Sequence, residues 1–310
     1  MFNANQIVIN AFCRRLRSGY RAMYGRQTHD YEEILDRAGR MSLEIIATSD
    51  APYHNVEHTM LVTLVGQETL RGKHLCHGSV TSADWLHAML SLLCHDIGYV
   101  KGVCGADRPE RRLFAAGPDD ALVELPAGST DASLAPYHVD RGQQFVRERF
   151  GGHRLIDADL VCRNIERTRF PVPAGEDHRN TADYPGLVRA ADLVGQLSDP
   201  SYLRKLPALF WECEETGANR ALGYRTAEDL RRGFPRFYWQ AVHPYIAEAV
   251  RHLRCTYRGR QILANLFAQV FVIEHEQPPE HNVEIRSGVC PRLSHYRTGQ
   301  AAGSNGSGPG

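Results

Sequence analysis

Two short segments of the chain hold four residues whose types and spacing could build a metal site. The stretch PYHNVEHTMLV places His54 and His58 four residues apart, and LLCHDIGYVKG places His95 directly before Asp96. Positions i and i+4 of a helix face the same way, so a helix here would point both histidines together. Imidazole and carboxylate ligands suit a divalent ion such as Mn, Fe, Zn, Co or, more weakly, Mg. Each pattern alone is common by chance in a chain with 15 histidines, so the prediction of a metal rests on their combination.

A further acidic residue is needed to complete such a ligand shell, and Asp192 is the best candidate. It lies in RAADLVGQLSDP, as a lone carboxylate in a run of Leu, Val and Ala. A buried carboxylate without a partner is costly, so this one is expected to be paired or to bind a metal. The alternative, a carboxylate that caps a neighbouring turn, stays open at this point.

Helices are expected to position these residues. Residues 5 to 18 and 28 to 47 carry apolar side chains at helical spacing. The segment SADWLHAMLSLLCHD begins with Ser82 as an N-cap and is apolar on nearly every face, as in a helix buried inside a bundle. The segment DYPGLVRAADLVGQLSDP predicts a helix from Pro185 to a stop at Pro200. The fold class indicated by this pattern is all-α.

The remaining segments predict one domain with a long loop and a tail. Residues 101 to 136 are dense in Gly, Pro and Asp, which is typical of a loop, and strand signals are weak throughout the chain. The tail, residues 296 to 310, is of low complexity and is predicted to be disordered. Nothing marks a domain boundary before it, so residues 1 to 295 are predicted to form a single helical domain.

Composition excludes several classes of protein. Lys plus Arg number 36 and Asp plus Glu number 36, so the net charge is zero and dedicated nucleic-acid binding is not expected. No apolar run is long enough for a membrane span, and the N-terminus lacks the apolar core of a signal peptide. Eight cysteines are spread singly without a CxxC pair, and Cys94 and Cys162 have the apolar neighbours of buried free thiols. A reducing, cytoplasmic compartment is the simplest interpretation.

The order of these motifs resembles that of the HD-domain metal-dependent phosphohydrolases. Those enzymes also carry a histidine, then His-Asp after a buried helix, then a distant aspartate, here within residues 50 to 200. YHNVEH is similar to the tyrosine–histidine–asparagine signature of cyclic-nucleotide phosphodiesterase domains. The resemblance implies an HD-domain helical bundle in which His58, His95, Asp96 and Asp192 are metal ligands. Asp96 would bridge two ions, and His54 would donate a proton to the leaving oxygen.

The sequence also departs from that pattern. Phosphodiesterases have a second histidine four residues after the first of the His-Asp pair, and Tyr99 occupies that position here. His138, at the start of YHVDRGQQFVRERF, resembles a histidine of the HD hydrolases of diadenosine tetraphosphate, and Glu166 is the only obvious ligand farther on. These three residues are candidates for a second metal or for its surroundings. Lys101 and Arg167 are candidates for contact with substrate phosphates, although surface cations of this kind are usually only solvated.

The sequence therefore predicts a metal-dependent phosphohydrolase that uses one or two divalent ions. Its partner would be a small phosphorylated substrate, such as a nucleotide, and the YHN motif favours a phosphodiester. A nucleotide phosphomonoesterase or pyrophosphohydrolase is the alternative among enzymes. The alternative of a different class is a non-catalytic regulatory HD module that binds a ligand or a partner. The oligomeric state is left open by the sequence.

Overall fold

A computed structural model describes residues 4–25, 29–117 and 121–276, and it is mostly helical, so the predicted all-α class is confirmed. The predicted tail, residues 296 to 310, lies outside these described residues. The helices α1 to α12 are, in chain order, Ala4–Tyr24, His29–Ile46, Val56–His77, Ser82–Cys94, His138–Phe150, Ala158–Glu166, Tyr184–Leu197, Tyr202–Glu215, Ala218–Leu222, Ala227–Phe237, His243–Leu253 and Tyr257–Glu276. A π-helical turn, Tyr238–Val242, joins α10 to α11. Short 3-10 turns lie at Ile97–Tyr99, Pro109–Arg111, Asp131–Leu134 and Glu176–His178.

Side-chain caps explain where two central helices begin. The two N-terminal helices predicted from apolar spacing are present as α1 and α2. The N-cap of α4 is Thr81, whose hydroxyl accepts from the backbone of Asp84 in a capping box, so the prediction of Ser82 as the cap is wrong by one residue. The Asp183 side chain caps α7 by accepting from the backbone N–H of Gly186, one residue before the helix begins and two before Pro185.

The core is built around α4, with α3 and α7 packed tightly beside it. All residues from Trp85 to Cys94 are buried, as predicted for a helix inside a bundle. Helices α3 and α7 approach closely because Gly195 has no side chain: a Cβ there would lie 2.7 Å from the Cα of Val62. These helices carry His58 and Asp192, so their close approach brings those side chains together. In the described ranges, no helix has both the length and the apolar character needed to cross a membrane.

The segment predicted as a loop, residues 101 to 136, contains a small hairpin, so that prediction is wrong in part. Strands β1, Leu113–Ala115, and β2, Leu122–Glu124, pair antiparallel with Phe114 opposite Val123. Three-residue strands are too short to produce a recognisable alternation of polar and apolar residues. The hairpin packs against its own small apolar cluster rather than against the main core.

A buried arginine on α5 fixes this segment to the end of α4. The guanidinium of Arg141 donates to both carboxylate oxygens of Asp107 at 2.9 Å. It also donates to the carbonyl oxygens of Gly98 at 2.6 Å, Val100 at 2.9 Å and Ala115 at 2.8 Å. Arg141 is fully buried, and all three of its guanidinium nitrogens are engaged. The backbone on either side of residue 99 is thereby held against α5.

A disulfide joins the end of α3 to the turn between α11 and α12. Cys76 and Cys255 form this bond across 179 residues of sequence. The sequence did not reveal this bond. Disulfides are rare in a reducing cytosol, so the bond does not fit the compartment suggested by the spacing of the cysteines. Cys94 and Cys162 are buried and unpaired, as predicted, and Cys290 lies outside the described residues. The free cysteines are Cys13, Cys94, Cys104, Cys162 and Cys213.

Candidate metal centre

The candidate ligands come from three helices that meet in the core. His58 lies in the first turn of α3, and the Asn55 side chain, which caps the helix, accepts a hydrogen bond from its backbone N–H at 3.3 Å. His95 is the C-cap of α4 and Asp96 follows it directly. Asp192 lies in the second half of α7. The four side chains therefore come from the end of α4, the start of α3 and the side of α7.

These four side chains converge on one small volume. The Nε2 atom of His58 lies 3.1 Å from Asp96 Oδ2 and 3.5 Å from Asp192 Oδ1. The Nε2 atom of His95 lies 3.0 Å from the same Asp96 oxygen and 3.5 Å from the same Asp192 oxygen. The two Nε2 atoms are 3.3 Å apart. Four potential ligand atoms thus face one another, and His58, His95 and Asp192 could hold a metal ion together.

The spacing fits a divalent ion better than a hydrogen-bonded cluster. Metal–ligand bonds of about 2.0–2.2 Å place neighbouring ligand atoms roughly 2.9–3.6 Å apart, depending on the coordination geometry. Asp96 Oδ2 is buried and accepts no hydrogen bond despite its two close nitrogens. The Nδ1 atom of His95 contacts the Leu92 carbonyl oxygen at 2.8 Å, so Nδ1 carries a proton and Nε2 faces the site, where a metal ion would displace any proton on that nitrogen. The residues present therefore fit such an ion.

The groups of the cluster also shift one another's pKa values. Burial disfavours a charged His95, but the carboxylates of Asp96 and Asp192 outweigh burial and raise its pKa well above the usual value. Burial likewise opposes ionisation of both aspartates. The positive charge of His95 prevails and lowers the pKa of Asp192 to about 2 and that of Asp96 well below its usual value. Both carboxylates are therefore ionised at neutral pH, as metal ligands must be.

His54 lies beside the cluster, but not for the reason that the sequence suggested. Helix α3 begins at Val56, so His54 precedes it and the expectation that both histidines share one helical face is wrong. The turn nevertheless leaves the rings of His54 and His58 with centroids 5.2 Å apart. His54, His58 and Asp96 form a second group whose ligand atoms are close enough to hold an ion.

Glu212 on α8 is a functional candidate that the sequence did not reveal. Its carboxylate contacts His54 Nδ1 at 2.5 Å and accepts the backbone N–H groups of Tyr53 at 2.6 Å and His54 at 3.0 Å. Burial alone would lower the pKa of His54, but the Glu212 charge and hydrogen bond outweigh burial and raise it to about 9. His54 is therefore protonated at neutral pH. No local signal marks Glu212 within the acidic stretch ECEE, because the contact spans 158 residues.

Tyr99 lies between two histidines at the edge of the cluster. Its ring stacks on His54 with centroids 4.6 Å apart and on His138 with centroids 4.5 Å apart. His138 is the first residue of α5, as expected, and its Nε2 lies 3.9 Å from Asp96 Oδ1, on the opposite carboxylate oxygen from the main cluster. Gly98 permits this arrangement, since a Cβ there would lie 1.9 Å from the His138 carbonyl oxygen.

Three other predicted site residues have their polar groups engaged elsewhere. The Lys101 ammonium donates to the Ser129 carbonyl oxygen at 2.5 Å. Glu166 accepts from Arg169 and Gln143, both at 2.7 Å. The Arg167 guanidinium belongs to a separate cluster in the connection between α6 and α7. The structure brings none of the three into contact with the four converging ligands, within the part of the chain that it describes.

A lysine that sequence analysis missed lies close to His58. Lys205 on α8 bridges the carboxylates of Glu57 at 2.8 Å and Asp199 at 2.6 Å. With His58, Asp199 and Tyr53 it lines a cavity of about 10 Å³, the space of one water molecule. Glu57 itself is exposed. The Lys205 ammonium is thus already neutralised by two carboxylates.

Comparison with protein families places the chain in a defined group. The chain belongs to the Npun_R2479-like family, whose model matches residues 2–276. This match spans nearly all of the described structure, including every candidate ligand. The family description states no activity or ligand. Comparison with curated proteins and with solved structures gave no significant match.

Proposed function

We propose that the protein is a metal-dependent phosphohydrolase of the HD-domain type that acts on a nucleotide or another small phosphoester. The observation that carries the proposal is the convergence of His58, His95, Asp96 and Asp192 at distances of 3.0–3.5 Å. A mixed set of two imidazoles and two carboxylates suits Mn, Fe, Zn, Co or Mg. Their order along the chain is that of the HD-domain pattern, and this supports the assignment to phosphoester hydrolysis.

The ion would be held by these four side chains. When bound, it supplies a water of lowered pKa and positive charge for the phosphoryl oxygens. The hydrogen bond from His95 Nδ1 to the Leu92 carbonyl fixes which nitrogen of that ring faces the site. Asp96 presents one oxygen to the cluster and the other towards His138, which supports the proposal that its carboxylate would contact two ions if two were bound.

His54 would supply a proton to the leaving oxygen. Glu212 contacts its Nδ1 atom, which leaves the Nε2–H free to donate. The stack on Tyr99 holds the ring plane, so the proton is kept in one orientation beside the cluster. With a pKa near 9, the ring is protonated before the reaction and becomes neutral when the leaving group departs.

The test combines metal analysis with turnover. Purified wild-type protein should contain a divalent ion at stoichiometric level and hydrolyse either bis(p-nitrophenyl) phosphate or p-nitrophenyl phosphate. The comparison of the two substrates, followed by a nucleotide panel, separates a phosphodiesterase from a phosphomonoesterase or pyrophosphohydrolase. His95→Ala and Asp96→Ala should lose both metal and turnover. His153→Ala, which removes an exposed histidine from the turn after α5, is the matched control and should lose neither.

Two outcomes would contradict the proposal. If purified His95→Ala and Asp96→Ala both still contained stoichiometric metal, the assignment of the metal site would be wrong. Retained metal without turnover of any phosphoester on the panel would favour the non-catalytic binding module.

A second comparison separates the roles of the two histidines in YHNVEH. His58→Ala should lose metal and activity together. His54→Ala should keep the metal and lose about 10²–10⁴-fold in turnover of a substrate with an alkoxide-like leaving group. The loss should be much smaller for a nitrophenolate leaving group, which needs little protonation. Loss of metal from His54→Ala, or an equal slowing of both substrates, would make His54 a ligand or a structural residue instead.

A further inference from the structure

Two arginines are buried side by side where the end of α6 meets α7. Arg167 is the C-cap of α6 and Arg189 lies in α7, with 9% and 2% of their surfaces exposed. Both guanidinium groups donate to the carbonyl oxygen of Asn180, Arg167 at 3.1 Å and Arg189 at 3.4 Å. The two positively charged groups therefore have one acceptor in common, in a region from which water is largely excluded.

Among the described residues, only one carboxylate pairs directly with these two guanidinium groups. Arg167 pairs with Asp183 at 3.4 Å. Arg189 has no carboxylate partner among the described residues; it donates to the His178 carbonyl oxygen at 2.8 Å, and its guanidinium carbon lies 4.3 Å from the centre of the Tyr245 ring. A buried charge without a carboxylate partner is unfavourable, so binding of an anion beside Arg189 would stabilise it.

Two hydrogen-bonding atoms in the same cluster have no partner. The Nε atom of Arg189 and the Nδ1 atom of His178 are both buried without a hydrogen bond. Burial lowers the pKa of His178, and the charges of Arg167 and Arg189 lower it further, against the opposite effect of the Glu166 and Asp177 carboxylates. The nearby Glu166 carboxylate does not serve as the missing partner, because Arg169 and Gln143 already hold it.

We propose that Arg167, His178 and Arg189 form a binding site for a phosphate group. Guanidinium groups match the oxygens of phosphate in fork geometry, and the unpartnered nitrogens of His178 and Arg189 are available to further oxygens. The cluster opens to solvent at Asp183, whose side chain is 31% exposed beside that of Arg167 at 11%. A phosphate entering there would supply the negative charge that the protein does not.

The site is close to the metal cluster without being part of it. Arg189 precedes the metal-ligand candidate Asp192 by three residues on α7, a rise of about 4.5 Å along the helix axis. The phosphate could therefore be free inorganic phosphate or a phosphate group of the substrate. The proposal that a phosphate binds there does not depend on the proposed hydrolase activity.

The experiment measures binding of inorganic phosphate to protein freed of metal with EDTA, so that the metal cluster does not contribute. Titration calorimetry should give saturable binding with one phosphate per chain in the wild type. Arg167→Gln should weaken it at least about tenfold, the loss expected for one charge-assisted contact. The matched control is Arg179→Gln, in the same connection. Its guanidinium is 74% exposed and lies 3.6 Å from the exposed Glu176, so binding should stay unchanged.

The proposal is overturned if the wild type shows no saturable binding, or if both variants weaken it equally. A second measurement covers the case in which Arg167→Gln does not fold. Phosphate should raise the melting temperature of the metal-free wild type above that in sodium chloride of equal ionic strength, and the absence of a difference would also overturn the proposal.

Turnover then distinguishes the two sources of the phosphate. A raised KM with unchanged kcat in Arg167→Gln would assign the bound group to the substrate. Unchanged kinetics together with weakened phosphate binding would assign it to free phosphate.

Discussion

Replacing Glu212 by glutamine isolates the charge that keeps His54 protonated. The substitution preserves the size of the side chain and an oxygen that can accept the backbone N–H groups of Tyr53 and His54. It removes the negative charge 2.5 Å from His54 Nδ1. The pKa of His54 is about 9, against about 6.5 for an ordinary histidine, and a difference of about 2.5 units corresponds to about 3 kcal/mol. Without the charge, burial should bring the pKa to about 6.5 or below.

The expected effect on turnover follows from the protonated fraction. At pH 7.5 a histidine with a pKa of about 9 is roughly 97% protonated, whereas one with a pKa of about 6.5 is roughly 10% protonated. A general acid works only in its protonated form, so activity is lost as the pH rises through its pKa. Glu212→Gln should therefore lower kcat/KM about tenfold at pH 7.5 for a substrate with a poor leaving group. Most of that loss should be recovered near pH 6.

The assay is the pH dependence of kcat/KM for substrates with poor and good leaving groups, with metal content measured in parallel. Glu214→Gln is the matched control, because this exposed carboxylate lies on the same helix and its pairing with Asn219 does not involve His54. An NMR titration of the His54 ring reads the pKa without relying on turnover. The reasoning would be refuted if the fall of kcat/KM at high pH were unchanged in Glu212→Gln, or if kcat/KM were lowered equally at every pH.

Two further predictions concern the surroundings of the cluster. His138→Ala should reduce a two-ion wild type to one ion by metal counting or anomalous scattering, and a variant that still holds two ions would show that His138 is not a ligand. Arg141→Met should lower the free energy of unfolding by about 3–5 kcal/mol in urea, because it leaves the buried Asp107 without its partner. The control Arg147→Met, on the exposed side of the same helix, should change it by no more than about 0.5 kcal/mol. Equal losses in both variants would mean that the buried ion pair contributes nothing specific.

The sequence predicted the features that depend on neighbouring residues. Apolar spacing located α1 and α2, Pro185 and Pro200 bounded α7, and the uniformly apolar segment before His95 identified the buried α4. Four candidate ligands could be named because each occurs in a distinctive local context. Their convergence depends on a close contact between helices that only the packing reveals, as at Gly195 against Val62.

The features that were missed all involve contacts between distant parts of the chain. Glu212 reaches His54 across 158 residues, and nothing in its own neighbourhood separates it from Glu214 and Glu215. Arg167 was named as a phosphate contact from its charge alone, while its neighbour Arg189 was not noticed within an otherwise apolar helix. For His54 the predicted position was right but the reason was wrong. It lies beside the cluster, although the helix used to predict this begins only at Val56.

The disulfide between Cys76 and Cys255 turns most of the chain into a covalent ring. His95, Asp96 and Asp192 lie within this ring, whereas His54 and His58 lie on the segment that leads into it. A protease that cuts the ring once, for example in the hairpin, leaves both pieces in a single molecule that still carries every candidate ligand. A cut that separates the two histidines from the other ligands must fall within α3, where a packed helix gives proteases little access. A nicked sample should therefore migrate as one chain on a non-reducing gel and separate into two fragments when a reductant is added.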